Sequence, residues 1–201
     1  MSEALTPTRY LALNLLRRYN KSESLLKHAL CVEGVMRYMA KKAGEDEEKW
    51  GIIGLIHDLD YEMYPDQHCT MTEKILRENR WPEEYIRAVV SHGWGIVSDI
   101  EPVSLLEKTL FAVDELTGLV TTSALVRPSK SVMDMEAKSV RKKWNDKRFA
   151  AGVDRSVIEK GAAMLGVSLD ELITDSILGM RTVAEEIGLY LKGAGKILPA
   201  P

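Results

Sequence analysis

Between Leu25 and Met39 the apolar side chains return at helical spacing, reading Leu25, His28, Val32, Val35 or Met36, and Met39. A stripe of that period commits the segment to a long helix with one face in a core, and it takes a histidine with it. Ser22 or Ser24 is placed to cap this helix, and Gly44 to end it. The same grammar repeats along the chain. Thr6-Pro7 reads as an N-cap with proline at the first helical position, opening a helix that ends near Asn20. Asp46, Glu47 and Glu48 start a third helix, whose run of Trp50, Ile52, Ile53, Leu55 and Ile56 ends in His57-Asp58.

Beyond the proline-broken connection Tyr61 to Pro65, Asp66 to Asn79 reads as helix with His68 in its first turn. Trp81-Pro82 begins another, which ends at Ser91-His92-Gly93. Pro102 to Val120 is a buried helix around Asp114, and Arg127 to Phe149 is polar and basic. Asp154 to Leu165 and Leu169 to Leu191 complete the series, the last capped by Ser168 and ended by the Gly193/Gly195 tail. No window alternates with the period of a strand. The expected fold class is therefore all-α, a single helical bundle forming one domain over residues 1–201.

A chain of 201 residues buries on the order of 70% of its unfolded surface, so no staple is required for stability. Charged residues at 28% and a net charge of −3 argue against wholesale nucleic-acid binding and against an acidic disordered chain. The start of the chain lacks a basic segment leading into an apolar one, and no apolar run approaches a membrane span. The expectation is a cytoplasmic protein with no membrane partner. Cys31 and Cys69 lack CxxC spacing and read as reduced core packing outside any metal pattern.

All four histidines, His28, His57, His68 and His92, fall at metal-compatible positions, with Asp58 directly after His57 and Asp114 a helix further on. Asp114 is an acid inside an otherwise apolar helix. A buried carboxylate is costly unless a cation or a hydrogen-bond partner compensates it. Imidazole and carboxylate together suit iron, zinc, manganese or a similar divalent ion. Asp60 and Glu115, beside these residues, read first as surface acids that need no role, with orientation of the histidines through hydrogen bonds as the alternative.

His28, His57-Asp58 and Asp114 resemble the H…HD…D signature of the HD-domain superfamily of metal-dependent phosphohydrolases, over roughly residues 22–120. The resemblance implies an α-helical HD core with a C-terminal helical extension over about 121–191. It also implies two divalent metal ions, iron, manganese or similar. His28, His57, Asp58 and Asp114 would hold the first; His68 and His92 would hold the second, bridged by Asp58. The glycine-lysine step and Gly-Tyr-Pro element of the cyclic di-nucleotide branch are missing, which disfavours that substrate. The whole chain is similar to bacterial proteins described only as HD-superfamily hydrolases.

Between Arg127 and Arg148 eight basic residues face three acids (Asp134, Glu136, Asp146), a balance of +5. Most of these read as a solvated face. Arg127 and Lys130, following the Asp114 helix closely, are the candidates for gripping a substrate phosphate. Few aromatic residues interleave the charges, so nucleic acid is a poor fit as partner. The expected reaction is hydrolysis of a phosphate ester or anhydride in a small phosphorylated, nucleotide-like molecule. Asp58 is the catalytic residue and a metal-bound hydroxide the nucleophile. Two rivals stand beside it, a mixed-valent di-iron oxygenase on the same fold and a catalytically silent nucleotide-binding module. A homodimer is left open.

Overall fold

The computed structural model describes residues 5–191, and among these nine α-helices and no strand occur. Helix α1 (Arg9–Tyr19) is capped by Thr8, whose hydroxyl accepts from the Leu11 N–H. The start lies two residues beyond the expected Thr6-Pro7, because the Leu5 N–H is tied to the Arg80 carbonyl. Helix α2 (Glu23–Ala43) follows Ser22 and stops at Gly44, which takes the left-handed conformation (φ 73°) that ends helices at little cost. Helix α3 (Glu47–Ile56) is capped by Asp46 and buried over every residue from Trp50 to Ile56. A helix apolar all round belongs in the centre. Gly54 makes that possible, since a Cβ there would lie 2.9 Å from Met36 Cγ and 3.1 Å from the Val32 carbonyl of α2.

A 3₁₀ turn at Pro65–Gln67 precedes α4 (Thr70–Glu78), and α5 (Glu83–Ser91) follows it. The expected continuous helix from Asp66 to Asn79 is thus interrupted. Cys69 adopts φ 66°, and His68 sits in the resulting break. Helix α6 (Leu105–Leu125) opens with a reciprocal capping box between Ser104 and Glu107. Short α7 (Ala137–Arg141) lies in the basic segment, and α8 (Arg155–Leu165) packs on α6 where Gly161 meets Ala112.

Helix α9 (Leu169–Arg181) begins at Ser168 as expected but ends ten residues before Leu191. The chain there turns back, with Gly188 at φ 75° and the Leu189 carbonyl accepting from the Val132 N–H. The Gly193/Gly195 tail lies outside the described residues. Helix α9 crosses α2 at paired glycines, where a Cβ on Gly179 would stand 2.5 Å from Val35 Cα. Buried Glu33 on α2 accepts from Arg9 and Arg37, pinning α1 to α2. The buried apolar residues form one cluster from Ala12 to Leu189. No helix among the described residues is long and apolar enough to cross a membrane.

Candidate metal centre

Five elements deliver the six expected donors to one place. His28 comes from the first half of α2, His57 caps the C-terminus of α3 with Asp58 next to it, and His68 occupies the break before α4. His92 caps the C-terminus of α5, and Asp114 lies mid-way along α6.

The partners of each ring fix its tautomer. His57 Nδ1 stands 2.7 Å from the Gly54 carbonyl and His92 Nδ1 2.5 Å from the Val89 carbonyl, so both nitrogens donate. His68 Nδ1 donates to Asp60 Oδ1 at 2.8 Å. The Thr117 hydroxyl gives its proton to the Asp114 carbonyl, which leaves its oxygen to accept from His28 Nδ1 at 3.3 Å. With every Nδ1 committed, each neutral imidazole turns its Nε2 lone pair toward the others. Histidine ligands are oriented in this way.

These atoms form two groups. His28 Nε2 is 3.1 Å from His57 Nε2 and 3.0 Å from Asp114 Oδ1, and His57 Nε2 is 3.2 Å from the same oxygen. His68 Nε2 and His92 Nε2 are 3.1 Å apart. Asp58 lies between the groups and divides its carboxylate. Oδ2 stands 3.5 and 3.4 Å from His28 and His57, while Oδ1 stands 3.5 and 3.4 Å from His68 and His92. Donors about 2.1 Å from one ion are separated by roughly 3.0 to 3.4 Å along an octahedral or tetrahedral edge. These spacings suit donors to a divalent cation.

The electrostatics agree. Burial opposes a charged His28, but the Asp114 and Asp58 carboxylates outweigh it and hold the ring up at about 9. Burial opposes charge on His68 too, and its hydrogen bond to the Asp60 carboxylate raises it to about 10. His57 is likewise raised despite its burial, through Asp58 and Asp114. Burial alone would raise both carboxylates, yet His57 and His28 hold Asp58 and Asp114 well below the usual carboxylate range. Such a field favours any cation.

The donors open into a cavity of about 430 Å³, whose walls include Leu25, Tyr61, Pro65, Ile96 and Val97. Glu115 also lines it, raised to about 7 by burial and by the neighbouring Asp114 charge. Its Oε2 accepts from the Asp154 N–H, which brings the α8 approach segment and Gly152 to the wall. Arg127 and Lys130 are not among the lining residues. The Arg127 guanidinium instead donates to Ser139 and to the Asp134 carbonyl and pairs with the Asp134 carboxylate, while Lys130 is exposed at φ 48°. A turn closes on itself here before it can reach the cavity.

Three residues escaped the sequence reading. Thr117 is three positions after Asp114, a helical spacing that could have flagged it. Cys69, taken for core packing, is buried but also offers its sulfur within 4.8 Å of ligand nitrogens of His68 and His92. Gly152 carries no local signal at all.

Comparison with known proteins decides the lineage of this constellation: residues 25–119 match the family model described as HD domain. That segment is an HD domain. Its span runs from the start of α2 to α6 and contains all six donors. Among curated proteins the chain is similar to ribonuclease Y of Acholeplasma laidlawii (strain PG-8A), at 26% identity over 191 residues. The match covers 90% of this chain but 34% of that relative, so the chain spans about a third of its length. No solved structure gives a significant match. HD domains are all-α and bind divalent metals, in keeping with the helices and the two donor groups found here.

Proposed function

We propose that the chain is a metal-dependent phosphohydrolase that cleaves a phosphate ester or anhydride of a small, nucleotide-like molecule. The observation that carries this reading is Asp58, whose two oxygens are shared between two convergent donor groups. His28, His57, Asp114 and Asp58 Oδ2 would hold one ion; His68, His92 and Asp58 Oδ1 would hold the other. Bound divalent ions would supply positive charge to the phosphoryl oxygens and lower the pKa of an attacking water.

The chain itself contributes positioning. The Gly54 and Val89 carbonyls, Asp60 and Thr117 lock the four imidazole planes before any ligand arrives, so little reorganisation is needed on binding. Asp58 keeps the two groups in fixed relation, in a cavity whose wall away from the donors includes Tyr61, Ile96 and Val97. A relative named as a ribonuclease supports phosphodiesters as the bond class.

The test is elemental analysis of protein purified without chelator, together with phosphate-ester hydrolysis after manganese or iron loading. About two ions per chain and cleavage of bis(p-nitrophenyl) phosphate are expected. Asp58→Ala should lose at least 100-fold in rate with an unchanged helical circular-dichroism spectrum, since an ion-bridging group acts as part of a unit. Full activity in that variant, or no bound metal after loading, refutes the reading. Oxygen consumption in place of phosphate release would redirect the same donors to oxygenase chemistry.

A further inference from the structure

The cavity is built for a particular kind of phosphate compound. Its charged walls among the described residues are the acids Asp58, Asp114 and Glu115 beside three of the histidines, with no lysine or arginine. Three cations of the segments after α6 are engaged elsewhere. Lys160 Nζ lies 3.4 Å over the Trp94 ring. Arg155 donates to the carbonyls of Asp146, Phe149 and Val153, and Arg127 is held by Asp134. Two divalent ions set against two or three carboxylates leave a site with one or two net positive charges. That matches a phosphate carrying one or two negative charges, and falls short of a triphosphate.

Opposite the charge stands an apolar rim. Ile96 and Val97 line the cavity although they are 61% and 46% exposed, and Tyr61, 47% exposed, meets the His68 ring edge-on at 5.2 Å. Neighbouring large aliphatic side chains in water need a reason. Ile96 and Val97 do not owe their position to a floppy loop. The Gly93 carbonyl accepts from the N–H groups of Ile96, Val97 and Ser98, and Gly95, at φ 77°, donates back to the Ser98 carbonyl. The turn fixes the backbone of both residues before anything binds.

We propose that the substrate is a phosphomonoester or diester with one phosphate and an apolar or aromatic group on its ester oxygen, the group lying on Tyr61, Ile96 and Val97. This inference rests on the metal-loaded phosphoester reading of the same cavity. Ile96 and Val97 then set specificity through binding and do not touch the reacting atoms.

The test reads binding and needs no turnover. Manganese-loaded protein, in excess manganese, is titrated calorimetrically with methylphosphonate, phenylphosphonate and methylenediphosphonate. Burying one ring predicts that phenylphosphonate binds roughly tenfold tighter than methylphosphonate. The ratio should fall below about threefold in Ile96→Ser/Val97→Ser, with methylphosphonate affinity unchanged. Both positions are exposed, so the double variant keeps its core, which a thermal melt verifies. Methylenediphosphonate binding tighter than phenylphosphonate, an unchanged ratio in the variant, or no binding of any phosphonate overturns the inference. Phosphonate binding with this pattern and no ester hydrolysis would keep the assigned ligand class, a single phosphate carrying an apolar group, and sink the hydrolase reading alone.

Discussion

Replacing Asp60 by alanine should weaken metal binding on the His68/His92 side of the centre and leave the other side unchanged. Asp60 is 0% exposed, accepts from His68 Nδ1 through Oδ1, and accepts from the Thr72 N–H through Oδ2, both at 2.8 Å. The second bond satisfies a donor in the first turn of α4, where Cys69 provides no side-chain cap. Alanine therefore strands two donors at once. Each buried donor left without a partner costs about 1–3 kcal/mol, and water reaching His68 from the cavity would keep its share low, so roughly 2–4 kcal/mol of stability should go. The freed ring loses its orientation, and a lost orienting partner typically weakens metal affinity about 10–100-fold. Urea denaturation of the metal-free protein measures the first effect; manganese titration, resolving one tight and one weakened site, measures the second. Asp60→Asn should be intermediate, because its amide oxygen can accept from only one donor group while its NH₂ opposes the other. Stability within about 0.5 kcal/mol of the parent, with two unchanged sites, refutes the reasoning.

Gly179→Ala should lower the melting temperature, because the new Cβ would lie 2.5 Å from Val35 Cα and 3.1 Å from the Gly34 carbonyl. Overpacking of about 1–3 kcal/mol outweighs the roughly 1 kcal/mol that alanine gains in helix propensity, and an unchanged or raised melting temperature would contradict this. Manganese added to metal-free protein at pH 7.5 should release protons, since His28 and His68, raised to about 9 and about 10, are charged there and must be neutral to coordinate. The same raised values stabilise the metal-free fold fully below about pH 6.5 and lose that contribution as pH rises through 9 to 10, so its melting temperature should fall over that window. An indicator dye showing no proton release, or a flat melting profile, would count against these assignments.

The helical stripes were legible because burial of one face imposes its own period. His57-Asp58 at the end of α3 and the Asp46, Gly44 and Ser168 boundaries could be read from the chain for the same local reason. Where local signals misled, long-range contacts had won. Thr6-Pro7 looked like a helix start, but Leu5 bonds to Arg80 and moves the cap to Thr8. Asp66 to Asn79 looked continuous, but Asp60 caps α4 from outside and Cys69 breaks the run. The Leu169 helix stops at Arg181 because the chain returns to pair with Val132.

Taken alone, the amino-acid sequence determined the donor types, their order and an all-helical scaffold, since these depend on side-chain chemistry and on spacings within a few turns. Only the tertiary structure decided which Asp58 oxygen faces which histidines. It also placed Thr117 behind His28, 89 residues apart, and turned Arg127 away from the cavity. Those outcomes depend on how α2, α3 and α6 pack around one core, a property of close-fitting surfaces far apart in the chain that no local pattern records.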